Sequence, residues 1–253
     1  GKPSDFTRFR QHAHEISQDD YIVQTRIAGD YTYSATAVTQ SIQPGQSLNT
    51  SRVPQGRVLS ILIAEQTAYM GISWAAQNVS PFTGGEMTFD EPVPNRAGHK
   101  LLEALATFKI RLFPGLRALD LGAAPGAWTE ILRRRGVWVT AVAPREMYDW
   151  LQVDPFIQAV PVTAEEYLHQ CDTTYDLLLN DMIVAAQDSA RLMTAYAPHL
   201  RPGGIALMTL KLRMHDPRRL MDHTLRILRK AYTIVAVRQL VSNRKEVTLY
   251  LRR

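Results

Sequence analysis

Apolar residues recur along the chain in two different rhythms, and the change between them falls near residue 91. Before it, Tyr21-Ile22-Val23-Gln24-Thr25-Arg26-Ile27 reads as a strand closed by Ala28-Gly29-Asp30. Residues 31–42 are rich in Tyr, Thr and Val and fit either helix or strand, and the Pro/Gly-rich stretch 42–56 predicts a long loop. Val58–Ile63 and Thr67–Ser73 predict two further strands with a short connection. Residues 1–17 read as a polar arm, 18–90 as a small α+β module, and 78–95, with Pro81, Gly84, Gly85, Pro92 and Pro94, as a linker. From residue 91 onward a helical period sets in. Ala97, Leu101, Leu105 and Phe108 mark one face of a helix over Arg96–Phe108, which therefore carries Lys100. Strands follow at 117–121, 137–142, 157–160, 176–181, 204–211, 232–238 and 246–252, with helices near 127–135, 164–170, 186–199 and 216–230. Such alternation predicts a parallel sheet with helices on both faces. Only Ser242-Asn243-Arg244 has turn character between the last two strands, too little for a crossover helix, so they should pair antiparallel.

Composition narrows the function. At 253 residues, with 45% hydrophobic and 21% charged residues, the chain can bury a real core, and no apolar run approaches the roughly 18 to 20 residues of a membrane span. The polar start Gly1-Lys2-Pro3-Ser4 has no signal-peptide core, so a cytoplasmic location is expected. The single cysteine, Cys171, excludes an internal disulfide and a cysteine-based metal cluster, and the seven histidines show no ligand spacing. No metal site is expected. Charge is uneven: residues 1–90 hold 6 Lys/Arg against 8 Asp/Glu, whereas residues 91–253 hold 23 against 16. A basic second half suits a polyanionic substrate, although many basic domains never meet nucleic acid.

The most informative stretch is Leu119-Asp120-Leu121-Gly122-Ala123-Ala124-Pro125-Gly126-Ala127-Trp128-Thr129. It predicts a strand ending at Gly122, a small-residue loop and a helix opening near Gly126. Small residues let a ligand approach the backbone, and a helix start offers free N–H groups. A dinucleotide fingerprint wants G-x-G-x-x-G, whereas this loop is G-x-x-x-G with a proline inside. The longer string D-L-G-A-A-P-G-A-W resembles the S-adenosyl-L-methionine loop of FtsJ-type RNA 2′-O-ribose methyltransferases. That resemblance implies S-adenosyl-L-methionine as cofactor, with Asn95, Gly122, Ala123, Ala124, Pro125, Gly126, Ala127, Trp128 and Asp181 around it. It also implies a Rossmann-like seven-stranded sheet, mostly parallel with an antiparallel final strand.

The family is marked by a Lys-Asp-Lys-Glu tetrad, and each member has a matching position. Asn95-Arg96-Ala97-Gly98-His99-Lys100-Leu101 resembles the segment that holds the first lysine, giving Lys100. Leu179-Asn180-Asp181-Met182 gives Asp181, Met208-Thr209-Leu210-Lys211-Leu212 gives Lys211, and Arg244-Lys245-Glu246-Val247-Thr248-Leu249 gives Glu246. Independently of family, Asp181 and Lys211 stand where apolar strands end, the edge at which open α/β sheets bind ligands. A lone lysine ending a strand is usually a surface cap; four such residues in order and in context argue against that. The implied reaction moves a methyl group to a ribose oxygen. A 2′-hydroxyl is a poor nucleophile and needs a base, for which Lys211 is the candidate. Lysine in water titrates near about 10.4, so burial and the second cation Lys100 are the features expected to help it shed its proton. Asp181 and Glu246 push the other way and are expected to orient the lysines and the substrates.

Phe82-Thr83-Gly84-Gly85, Val137-Trp138-Val139-Thr140-Ala141-Val142 and the ending Arg244 to Arg253 extend the resemblance to the RlmM-type branch, which methylates a cytidine ribose in large-subunit ribosomal RNA. That branch carries a THUMP-like RNA-binding module, which would correspond to residues about 18–90 and leave 91–253 as the methyltransferase domain. RNA is the implied partner, and a monomer is slightly favoured. Four positions depart from the pattern. Ala143 and Thr163 stand where the family has acidic residues toward the cofactor, Asn95 replaces a serine, and Ala127 replaces a glycine. Glu146 and Glu165 are the neighbouring carboxylates that would have to substitute. These departures keep an alternative open, an RNA-binding or ribosome-assembly protein on a degenerate methyltransferase scaffold. Trp128 reads as packing or as a base-stacking platform, and Arg133-Arg134-Arg135 as a solvated helix end or an RNA clamp. Arg213, His215, Arg218 and Arg219 follow Lys211 closely and are candidates for phosphate contacts.

Overall fold

The computed structural model describes residues 21–44, 56–75, 91–212, 216–243 and 245–253. The expected arm 1–17, most of the loop 42–56, most of the linker, and Arg213, His215 and Arg244 lie outside them. The chain divides into two compact units, Gly1–Glu91 and Pro92–Arg253.

In the first unit, strand β1 (Tyr21–Ala28) leads into helix α1 (Ala35–Ile42), then β2 (Arg57–Ala64) and β3 (Thr67–Trp74). Of the ambiguous stretch 31–42, Ala35–Ile42 is helix, started by Ser34, whose hydroxyl accepts the Ala37 N–H at 3.1 Å. The strand order is β1-β2-β3, with β1 and β2 parallel and β2 and β3 antiparallel. Val23, Leu59, Ile61 and Ile63 close a core with Val38 and Ile42 of α1.

The second unit opens with α2 (Arg96–Thr107), capped by Asn95, whose side-chain oxygen accepts the Ala97 N–H at 2.8 Å. Its sheet is built from β4 (Arg117–Leu121), β5 (Trp138–Val142), β6 (Ile157–Val160), β7 (Tyr175–Asn180), β8 (Leu200–Lys211), β9 (Thr233–Arg238) and β10 (Glu246–Arg252). The spatial order is β6-β5-β4-β7-β8-β10-β9, parallel through β8, with β10 antiparallel to both β8 and β9. Central strands such as Leu177-Leu178-Leu179 are buried on both faces, as a parallel sheet requires. Between them run α3 (Ala127–Arg134), α4 (Asp149–Gln152), α5 (Ala164–Leu168), α6 (Ala186–Tyr196) and α7 (Pro217–Leu228). A continuous core joins β4, β7, β8 and β10 to α6 and α7. Buried hydroxyls within it are satisfied: Tyr196 donates to the Ala164 carbonyl at 2.5 Å and Tyr232 to the Met193 carbonyl at 2.6 Å.

The seven-stranded α/β architecture and the antiparallel end agree with expectation. Differences are local. Strand β7 stops at Asn180, leaving Asp181 just beyond it, and the helix expected over 186–199 ends at Tyr196 and tightens into a 3₁₀ turn, Ala197–His199. Strand β8 begins at Leu200 rather than 204 because Leu200 pairs with Tyr175 ahead of a register shift. The short α4 went unforeseen; four residues are too few to show a period.

Candidate active site

Four ionisable side chains from four elements converge at the carboxyl edge of the sheet. Glu246 and Lys211 are direct partners in the antiparallel pairing of β10 with β8, so they sit opposite one another on one face. Lys211 Nζ donates to Glu246 Oε2, Asp181 Oδ1 and Thr209 Oγ1, each at 2.6 Å. Lys100, one turn into α2, reaches Glu246 Oε1 at 2.7 Å and both Asp181 oxygens at 3.2 Å. The Thr209 hydroxyl donates to Asp181 Oδ1, which closes the ring. Two cations thus share two carboxylates, and the four side chains are only 7–15% exposed. With little water to screen them, each pair is held far more firmly than a surface ion pair. Burial works against an ionised Glu246, but hydrogen bonds from Lys100 and Lys211 overcome it and hold its carboxyl below the usual range.

The position of Lys100 has its own support. Arg96, Lys100 and Glu103 share one face of α2. The buried Glu103 carboxylate accepts the N–H groups of Val241 at 2.6 Å and Ser242 at 2.7 Å, and Arg96 donates to the Ser242 carbonyl at 2.8 Å. The helix carrying one lysine is thereby fastened to the turn that feeds β10, which carries the glutamate.

Beside the cluster lies a cavity of about 560 Å³. Its wall includes Asn95, Gly122, Ala123, Ala124, Pro125, Ala127, Trp128 and Asp181, together with Lys100, Lys211 and Glu246. Gly126 is not part of that wall. Its φ of +120° and the approach of Leu151 Cδ1, 2.2 Å from where a Cβ would stand, explain the glycine by backbone and packing. Gly122, at φ +75°, is likewise crowded by Met182. Sequence reasoning missed Asp120, Arg96, Lys245 and Ile183 on the cavity wall. Asp120 carried a signal, an acid within an apolar strand. Burial pushes its carboxyl up to about 7; the Thr129 hydroxyl, donating at 2.8 Å, pulls it down, and the Asp181 charge pushes it up again. Thr209 also went unremarked, although it stands two residues before Lys211 and so on the same face of β8.

The alternatives left open above now resolve. The Trp128 indole N–H donates to the Ala97 carbonyl at 2.7 Å and the ring is 3% exposed, so it packs α3 against the start of α2. Arg133 binds Asp154 at 2.7 Å and lies over the Phe156 ring, Arg134 pairs with Glu130 and the Pro92 carbonyl, and Arg135 donates to the Ile131 carbonyl. The arginine run is an internal fastening. Ala143 is buried, and the Thr163 hydroxyl is committed to a capping box with Glu166, so neither position lines the cavity. Arg218 and Arg219 are exposed on α7. Among the described residues no group of His, Cys, Asp and Glu could hold a metal ion, and no helix is long and apolar enough to cross a membrane.

A family model described as FtsJ-like methyltransferase matches residues 93–225. Curated relatives include ribosomal RNA large subunit methyltransferase M of Halorhodospira halophila, 36% identical over 165 residues, covering 63% of this chain and 47% of the relative. The protein of the same name from Colwellia psychrerythraea is 31% identical over 219 residues, covering 81% and 59%. The chain therefore spans about half to six-tenths of the length of these relatives. Among solved structures, a putative hemolysin from Streptococcus thermophilus superposes with a TM-score of 0.54 at 15% identity, covering 65% of this chain and 68% of the other. A fibrillarin/Nop5p complex gives 0.53 at 17% identity, covering 66% and 88%. At those identities the likeness is one of fold.

Proposed function

This chain belongs to the FtsJ-like methyltransferase family, and from that premise we propose that it transfers a methyl group from S-adenosyl-L-methionine to a ribose 2′-hydroxyl of RNA. The observation that carries the proposal is the convergence of Lys100, Asp181, Lys211 and Glu246 beside a cavity walled by the Gly122–Trp128 loop. When bound, the cofactor supplies an electrophilic methyl group on a sulfonium centre.

The residues present suit such a cofactor. The cavity falls within the roughly 300–1,000 Å³ of small-molecule sites, and its loop of alanines, glycine and proline lets a ligand approach the backbone. Asp181 gives the wall an anionic group for a positively charged ligand, and the Asp120 carboxyl and Asn95 amide add polar ones.

Lys211 is the proposed base. As an ammonium ion it has three donors, and Asp181, Thr209 and Glu246 take all three. As a neutral amine it keeps two, enough for the carboxylates, and its lone pair is released from Thr209 once the amine rotates away from that hydroxyl to face an acceptor. An acceptor hydroxyl donating there would lose its proton to Lys211 as it becomes nucleophilic. Lys100 balances the charge of the two carboxylates, and Asp181 and Glu246 fix the direction of the Lys211 amine.

The substrate is proposed to be large-subunit ribosomal RNA, as the names of the relatives suggest. The first unit is proposed to serve as a THUMP-like RNA-binding module, the second as the methyltransferase domain, and the protein to act in the cytoplasm. Lys211→Ala should abolish methyl transfer, measured by nucleoside mass spectrometry, while calorimetry shows cofactor affinity within a few-fold of wild type. Retained transfer would reject Lys211 as the base.

One observation favours a second reading, a non-catalytic RNA-binding or assembly protein. Neither Ala143 nor Thr163 offers a carboxylate, and Glu146 and Glu165 are exposed. Calorimetry with the cofactor, with and without ribosomal RNA, separates the two. Heat only with RNA points to ordered binding; none in either case supports the scaffold.

A further inference from the structure

A second cavity, of about 300 Å³, shares Lys211 and Ile183 with the first. The rest of its wall comes from residues Val184 to Gln187, where β7 leads into α6, and from Leu220 of α7. Ile183 is 73% and Val184 38% exposed, two adjoining large apolar side chains that the fold leaves uncovered. Isolated surface aliphatics are ordinary, but a pair lining a hollow beside a reactive amine is what a ligand-binding wall looks like. Gln187 is half-buried, and among the described residues its side-chain amide makes no hydrogen bond. It offers two donors and an acceptor.

We infer that this second cavity receives the base of the nucleotide being methylated, with its faces against Ile183 and Val184 and its polar edge read by the Gln187 amide. The inference rests on the proposed function. If the first cavity holds the methyl donor and Lys211 takes the hydroxyl proton, the acceptor ribose lies at Lys211. The base joined to that ribose then needs a hollow that also reaches Lys211, and the second cavity is one. Its chemistry fits a flat heteroaromatic ring: aliphatic surfaces, one neutral amide and, among the described residues of its wall, no cation besides Lys211. Arg96 and Lys245, on the wall of the first cavity, offer the charges for the backbone.

Two variants test this in the full chain, neither touching the wall of the first cavity. Ala185→Trp fills the hollow, and Gln187→Ala removes the reader. The substrates are short RNAs spanning the methylated site and differing only in the acceptor nucleotide. Ala185→Trp should lower kcat/KM for RNA at least a hundred-fold, with cofactor affinity by calorimetry within two-fold of wild type. Gln187→Ala should change the ratio of kcat/KM among the four acceptor nucleotides by ten-fold or more, a readout that a merely structural role would not move. As a check independent of turnover, 4-thiouridine at the acceptor position should photocrosslink within 183–187. Unchanged nucleotide ratios, or a crosslink mapped elsewhere, overturn the inference while leaving the proposed function intact. Wild-type chain that binds cofactor yet methylates none of the RNAs overturns both.

Discussion

Replacing Asp120 by Asn should change how stability depends on pH, in a direction set by one buried carboxyl. In the folded chain burial raises Asp120 from 3.8 to about 7, Thr129 resisting and Asp181 reinforcing. The folded state therefore binds this proton more tightly than the unfolded state. The contribution of Asp120 is most favourable below the unfolded value. It declines as pH rises between the two values and is constant above about 7. A gap of roughly three units corresponds to about 4 kcal/mol as a ceiling. Asp120→Asn keeps the shape and can still accept the Thr129 hydroxyl, but carries no charge at any pH. The variant should come closest to wild type near pH 4, grow more stable than it up to about pH 7, and hold that advantage beyond. At a urea slope of roughly 2 kcal/mol/M, the full gap is about 2 M in midpoint. Urea titrations followed by tryptophan fluorescence at half-unit pH steps would read it. Subtracting one curve from the other cancels groups of opposite sign, such as Glu246. A difference that stays flat from pH 4 to 8 would refute the reasoning, and one that shrinks would reverse its sign.

Other substitutions probe the supports of the site. Glu103→Ala strands the N–H groups of Val241 and Ser242; at roughly 1.5–3 kcal/mol per charged hydrogen bond it should cost about 3–6 kcal/mol in chemical denaturation. It should also lower kcat, because the turn before Glu246 loses its anchor. Gly98→Ala would normally favour a helix, but its Cβ would stand 2.9 Å from Val93 Cβ and 3.1 Å from Ile131 Cδ1. Overpacking should win by about 1–3 kcal/mol, seen as a lower melting temperature. Glu246 has a depressed carboxyl, so the stability it lends is present above the ordinary carboxylate range and lost as pH falls through its folded value. Glu246→Gln should accordingly flatten the acid limb of the stability curve, measured by thermal melts between pH 3 and 6.

Much of the second unit was legible because its signals are local. Leu177-Leu178-Leu179 and Leu119-Asp120-Leu121 are strands by apolar run, and α2 by its period. Motif context named Lys100, Asp181, Lys211 and Glu246 before their meeting was visible, since three of them stand at or beside strand ends that a parallel sheet must align. What escaped depends on partners far away in sequence. Glu103 carries no local signal, because the N–H groups its carboxylate accepts belong to Val241 and Ser242. Trp128 and Arg133-Arg134-Arg135 were ambiguous because a tryptophan packs or stacks, and an arginine binds carboxylate or phosphate, with the same atoms. Only the positions of Ala97, Asp154 and Glu130 decided between them. The ambiguity over 31–42 was of the ordinary kind: β-branched residues favour strand, and the Ser34 cap tipped the balance.

The facing of Lys211 by Glu246 across β8 and β10 carries an evolutionary consequence. Side chains alternate along a strand, so a single residue gained or lost between Arg238 and Glu246 would swing the whole last strand over and carry the glutamate to the opposite surface. That connection should accept changes of residue type but not of length, so relatives that have diverged in other loops should still agree in its residue count.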